Sequence, residues 1–152
     1  MAIDSRQLSA VHALFRGRQN VVVSNLLREH GYKYKVAFGC SLPDIKSVAR
    51  MLAEGAVEGL QSGAELAEAL WADDSIRESK LCAPMLYPRG EMSVETAVRW
   101  SLSIPTPEVA DVVCMYAFQF GIGHQLIELW SKSEQPMQVY CARSLAKRLN
   151  DE

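Results

Sequence analysis

Residues 107–120 read Pro107-Glu108-Val109-Ala110-Asp111-Val112-Val113-Cys114-Met115-Tyr116-Ala117-Phe118-Gln119-Phe120. Within them Val109, Val112, Val113, Tyr116, Ala117 and Phe120 recur at i, i+3, i+4, i+7, i+8 and i+11, one apolar stripe at the period of an α-helix. A strand would alternate apolar and polar residues instead. Pro107 has no N–H to lose in a helix's first turn, so it opens the segment without cost. Outward from here the pattern repeats, with Val94, Ala97, Val98 and Leu102 before it and Met137, Tyr140, Cys141, Leu145 and Leu149 after it. Leu8, Val11 and Phe15, and Leu42, Ile45, Ala49 and Leu52, predict two more helices nearer the N-terminus.

The chain-breaking residues agree with this spacing. Pro43 falls at another first turn, Ser93 and Glu95 open the helix that precedes Leu102, and Gly31, Gly63 and Gly121 mark helix ends. Only Val21–Val23 is strand-like in composition, and so short a run makes no sheet. The expected fold is all-α, with about eight or nine short helices.

An internal repeat organises these helices. Leu70-Trp71, Leu102-Ser103 and Leu129-Trp130 stack without a gap so that Cys82, Cys114 and Cys141 share one column. Each row reads as helix, polar break and helix, with breaks at 72–75, 104–106 and 131–135. Rows are offset by 32 and then 27 residues, in the range of stacked helical hairpins. One hairpin cannot bury its apolar face alone, so hairpins must stack. The expected architecture is an α-solenoid in a single domain over 1–152, with basic helices in 1–55 and repeated hairpins over 63–87, 93–120 and 124–150. A chance coincidence of Leu and Cys in a helical chain is the plainer alternative.

Composition bounds the function. At 152 residues, with 49% hydrophobic and 22% charged, the chain is a globular protein able to bury a core and is too apolar for a disordered segment. The longest stretch without a formal charge, Val112 to Ile127, falls short of the ~20 apolar residues of a membrane span. Asp4 and Arg6 interrupt any signal-peptide core, so the expected location is cytoplasmic, with no membrane partner. Cys40, Cys82, Cys114 and Cys141 form no CxxC pair and have no His at zinc-ligand spacing, which predicts reduced, packed thiols and no metal site. His12, His30 and His124 have no recognisable nucleophile partner, and no GxSxG, HExxH or Walker sequence occurs. Gly121-Ile122-Gly123 is too short for a nucleotide fingerprint, so no cofactor is expected.

The net charge of −2 conceals an asymmetry. Residues 1–50 carry 8 Lys/Arg against 3 Asp/Glu, residues 51–100 carry 4 against 9, and residues 101–152 carry 4 against 6. An anionic partner is expected to meet the N-terminal third first.

Two stretches carry a family resemblance. Gly31-Tyr32-Lys33-Tyr34-Lys35-Val36-Ala37-Phe38-Gly39 is followed by Ser41-Leu42-Pro43-Asp44-Ile45-Lys46. Leu66-Ala67-Glu68-Ala69-Leu70-Trp71 runs on to Arg77-Glu78-Ser79-Lys80-Leu81-Cys82-Ala83. Both resemble the bacterial DNA alkylation repair glycosylases built from HEAT-like helical repeats, over about Leu26 to Leu149. The resemblance implies a curved α-solenoid whose concave basic face holds duplex DNA, and hydrolysis of the N-glycosidic bond of alkylated purines. The family's carboxylate maps onto Asp111, the tryptophan that cradles the damaged nucleotide onto Pro107, and an arginine that meets the DNA backbone onto Tyr140. The chain is also shorter than a typical member, which implies that the last hairpins are missing. These departures predict weak duplex binding without efficient base excision.

The residues have plainer readings too. Asp111 and Glu108 lie in the first turns of a helix, where a carboxylate complements the dipole. Lys33, Lys35, Lys46 and Arg50, interleaved with Tyr32 and Tyr34, have the composition of a phosphate-tracking surface, or simply of a solvated face. Arg143, a further candidate for DNA contact, suits a helix C-terminus together with Lys147 and Arg148. Trp71, Trp100 and Trp130 read as core between repeats. Two other functions stand beside the DNA reading: a protein interaction scaffold, and an active alkylpurine DNA glycosylase with an altered pocket.

Overall fold

The computed structural model describes residues 3–31 and 34–150. Among them are nine α-helices: α1 Ser5–Arg16, α2 Val21–Glu29, α3 Leu42–Ala53, α4 Ala64–Trp71, α5 Arg77–Leu86, α6 Val94–Ser101, α7 Pro107–Val113, α8 Gly123–Trp130 and α9 Pro136–Leu149. A π-helical turn, Cys114–Phe118, continues α7. The described residues contain no strand; a single parallel bridge joins Val36 and Ile76. The protein is all-α.

Side-chain caps start five of the helices. Asp4 and Gln7 form a reciprocal capping box on α1, with bonds of 2.7 and 3.0 Å. Asn20, Ser41, Ser93 and Thr106 each accept the N–H three residues on. The Asn20 cap decides Val21–Val23, which opens α2 despite its β-branched composition. No residue of α2 is buried, and Val21, Val22 and Leu26 are exposed.

The chain divides into two compact units, Met1–Tyr87 and Pro88–Glu152. In the first, Val11 and Phe15 of α1, Ile45, Val48 and Leu52 of α3, Leu70 and Trp71 of α4 and Leu81 and Cys82 of α5 form the core. A fully buried carboxylate ties its loop to its last helix. Glu78 accepts the N–H groups of Phe38, Gly39 and Cys40 at 3.0–3.2 Å and the Arg77 guanidinium at 2.6 Å. Arg77 also donates to the Cys40 carbonyl. Gly39 has φ +76°, and a Cβ there would lie 2.3 Å from the Asn20 carbonyl oxygen, so only glycine lets the loop pass against α2. The two stretches that carry the family resemblance thus meet in space.

In the second unit Ala97, Trp100, Val109, Val113, Cys114, Phe118, Leu126, Trp130, Cys141 and Leu145 are buried. The three rows of the repeat correspond to α4–α5, α6–α7 and α8–α9. Cys82, Cys114 and Cys141 are all fully buried free thiols. The leucine column is not equivalent: Leu70 is buried, whereas Leu102 and Leu129 are exposed. A better marker is tryptophan. Trp71, Trp100 and Trp130, all buried, stand at or one residue before the end of α4, α6 and α8.

The apolar stripe of 107–120 is corrected at one point. The Gln119 N–H reaches back five residues to the Cys114 carbonyl, at 3.2 Å, so the turn is wider than an α-turn. Later side chains rotate, and Phe118 enters the core while Phe120 lies half-buried under the Arg89 guanidinium. Phe118 meets Trp130 edge to face, with centroids 5.4 Å apart. In α9 the buried face is Gln138, Cys141, Ala142 and Leu145, which leaves Tyr140 on its flank.

Candidate functional site

Asp111 occupies the fifth position of α7, beyond the capping bond in which Thr106 Oγ1 accepts the Val109 N–H. Its side chain is half-buried and faces α9. There the Tyr140 hydroxyl donates to Asp111 Oδ1 at 3.0 Å. Burial, and then the hydrogen bond and charge of Asp111, push the Tyr140 phenol above its ordinary value, so it keeps its proton at neutral pH. Arg148 donates to the Asp111 carbonyl at 3.5 Å and, through Nε, to Ser144 Oγ at 3.3 Å. Together with Met115 of the π turn, Asp111, Tyr140, Arg143, Ser144, Lys147 and Arg148 line a cavity of about 680 Å³.

The helix period explains the lining of α9. Residues 140, 143, 144, 147 and 148 follow one another at three and four, so they share one face of the helix. The basic residues gather in its last two turns, where cations also complement the C-terminal end of the dipole. Arg143 and Lys147 are exposed and form no hydrogen bond or ion pair among the described residues. Cys114 and Cys141 lie at the α7–α9 contact, with Cys114 Sγ 3.9 Å from the Cys141 carbonyl oxygen. The hydrogen bond from Cys114, and then burial, push the Cys141 thiol far above its ordinary value, so it is an inert packing group.

The structure therefore brings Asp111 and Arg143 into the lining of one cavity, where Tyr140 is bonded to Asp111. Lys147 and Arg148 belong to it as well, although in sequence they read only as cations at a helix end. The spacing from Tyr140 to Arg148 on one helical face is the signal that points to them. Pro107 is exposed at the first turn of α7 and does not line the cavity.

Of the N-terminal candidates, Lys46 and Arg50 lie one turn apart on the exposed side of α3, and Lys35 is exposed in the loop before it. Tyr32 and Lys33 lie outside the described residues. These residues belong to the first unit, Asp111 and Arg143 to the second.

A second polar cluster lies in the first unit. Asp73 accepts from Ser79 Oγ at 2.7 Å and from Ser75 Oγ, and pairs with His12 Nε2 at 2.7 Å. Burial works to raise the Asp73 pKa, but these hydrogen bonds outweigh it and hold the carboxyl below its ordinary value. Both serines point at the carboxylate rather than the imidazole, so the order of a nucleophilic triad is absent here. No group of three His, Cys, Asp or Glu among the described residues is placed to hold a metal ion, and no helix there is long and apolar enough to cross a membrane.

No family model, curated protein or solved structure matches the chain.

Proposed function

We propose that the chain is a HEAT-like helical-repeat protein, similar to the alkylation repair glycosylases, that binds the phosphate backbone of duplex DNA weakly and does not excise bases efficiently. The gathering of Arg143, Lys147 and Arg148 on one face of α9, beside Asp111 in one cavity, is the observation that supports it. Cations gathered on one helix face suit phosphate oxygens. The recurrence of a buried tryptophan at or next to the last residue of α4, α6 and α8 supports the repeat part of this reading.

The chemistry of Asp111 argues against rapid excision. A carboxylate assists departure of a cationic purine by stabilising positive charge that develops on the sugar. Here Tyr140 donates to that carboxylate and draws off part of its charge. Pro107 offers no aromatic surface to hold a nucleotide against it, and loss of alignment alone costs ~100-fold in rate. Binding is tested by fluorescence anisotropy with duplexes of unrelated sequence over a salt series. Affinity should fall linearly with salt on logarithmic axes, whatever the sequence; affinity indifferent to salt rejects the reading. For excision, wild type and Asp111→Asn should release the same small background of 7-methylguanine from methylated DNA. Release by wild type alone would restore an active glycosylase.

A protein interaction scaffold is the second reading, favoured by α2. That helix exposes Val21, Val22 and Leu26, three of the six large exposed hydrophobic residues of the described chain. A partner covering them would bind with little dependence on salt.

A further inference from the structure

The cavity between α7 and α9 makes two opposite demands on whatever enters it. Arg143 and Lys147 offer charge and donors that no described residue uses, and among the described residues the Arg148 guanidinium is tied to Ser144 Oγ and a backbone carbonyl. Asp111 offers an acceptor: Oδ1 takes the Tyr140 hydroxyl, and Oδ2 takes no hydrogen bond among the described residues. A bare dianion satisfies the cations but is repelled by the carboxylate, while a bare cation is repelled by the arginines. A ligand that is anionic at one end and a hydrogen-bond donor at the other satisfies both. The volume, about 680 Å³, lies within the range of small-molecule sites. Met115 and the Tyr140 ring supply apolar wall for a planar group.

We infer that this cavity takes a single nucleotide whose base carries an exocyclic amino group, with phosphate on Arg143, Lys147 and Arg148 and the amino group donating to Asp111. The inference rests on the part of that reading that gives this cavity a phosphate, and it goes further by committing to a unit, the nucleotide, and to a class of base. Phosphate supplies the acceptors that two or three cations require. An amino group on adenine, cytosine or guanine supplies the donor that a carboxylate accepts. A base without that donor leaves Asp111 facing a ring edge, at the cost of one charge-assisted hydrogen bond, about tenfold in affinity.

Isothermal titration of the full chain tests this with adenosine 5′-monophosphate, purine riboside 5′-monophosphate, adenosine and inorganic phosphate. The second compound differs from the first only by lacking the amino group. Wild type should bind adenosine 5′-monophosphate about tenfold more tightly than each of the other three. Asp111→Ala should bind the two monophosphates alike, and Arg143→Ala with Lys147→Ala should weaken both by about tenfold or more. Arg143 and Lys147 are exposed, so their removal spares the fold, and thermal melting checks each variant. The comparison of the two monophosphates on wild type stands whatever any variant does. Equal affinity for them, or no binding of adenosine 5′-monophosphate at millimolar concentration, would overturn the inference. The DNA anisotropy series separates the two readings. Duplex binding without nucleotide selectivity sinks the inference and leaves the DNA reading; selective nucleotide binding without duplex binding supports the nucleotide site and sinks the DNA reading.

Discussion

The Glu78 carboxylate is fully buried, yet it accepts from three consecutive backbone N–H groups and from Arg77, so none of its charge is left without a donor. Arg77-Glu78 is also the pair that carries part of the family resemblance, and its role in this fold is to fix residues 38–40 to α5. Glu78→Ala would leave a buried guanidinium and three N–H groups without that acceptor. The expected loss is about 3–5 kcal/mol of stability, measured by urea denaturation; a loss below about 1 kcal/mol would mean that water or a rearranged loop replaces the carboxylate. Asp73 is legible in a different way, through pH. Its pKa is depressed in the folded protein, so its contribution to stability is present above the unfolded value of about 3.9 and is lost as pH falls through the folded one. Asp73→Asn should therefore cost about 1–3 kcal/mol at neutral pH and progressively less in acid, until wild type and variant converge. A deficit that stays constant down to about pH 2 would place the effect in packing and not in the charge.

At the scale of the element, the starts of α1, α3, α6, α7 and α9 follow from residues one can read directly: Asp4 with Gln7, Ser41, Ser93 and Thr106 at the caps, and prolines at first turns of α3, α7 and α9. Two features escape such a reading. Val21–Val23 is β-branched, but one Asn20 side chain on the Val23 N–H outweighs a propensity difference of a few tenths of a kcal/mol per residue. The π turn at Cys114–Phe118 escapes because a stripe counted at a fixed period has no place for one wider turn. The candidate site was legible in part for the same reason. Asp111 and Arg143 stand out singly, but the phenol bonded to Asp111 lies on a helix whose buried face passes through Gln138 and Ala142, not through Met137 and Tyr140. Such a choice is made by the packing of α7 against α9, which no window of sequence contains. The π turn makes a sharp prediction. Phe118→Ala should cost about 3–5 kcal/mol, whereas Phe120→Ala, at a half-buried position over Arg89, should cost much less. An uninterrupted α-helix would reverse that order, so thermal or urea unfolding of the two variants decides between them.

Across the whole molecule, charge is the property that local structure does not dictate. The excess of five positive charges in residues 1–50 predicts that an anionic partner engages the N-terminal third, yet the cations that line a cavity with Asp111, namely Arg143, Lys147 and Arg148, lie in the second unit. Salt dependence can apportion these contributions, because each phosphate contact releases counterions and adds about 0.9 to the slope of log affinity against log salt. Replacing Lys33, Lys35, Lys46 and Arg50 by Ala should flatten the slope by up to about four units if every one of them meets a phosphate. Replacing Arg143, Lys147 and Arg148 should flatten it by up to about three. If one duplex meets both sets, the two losses add in the combined variant, because each phosphate contact contributes its own counterion release. If only the α9 cavity holds DNA, the N-terminal replacements leave the slope unchanged and the α9 set accounts for all of it. A slope that neither set alters would remove phosphate contact from both and leave the exposed face of α2 as the surface to test.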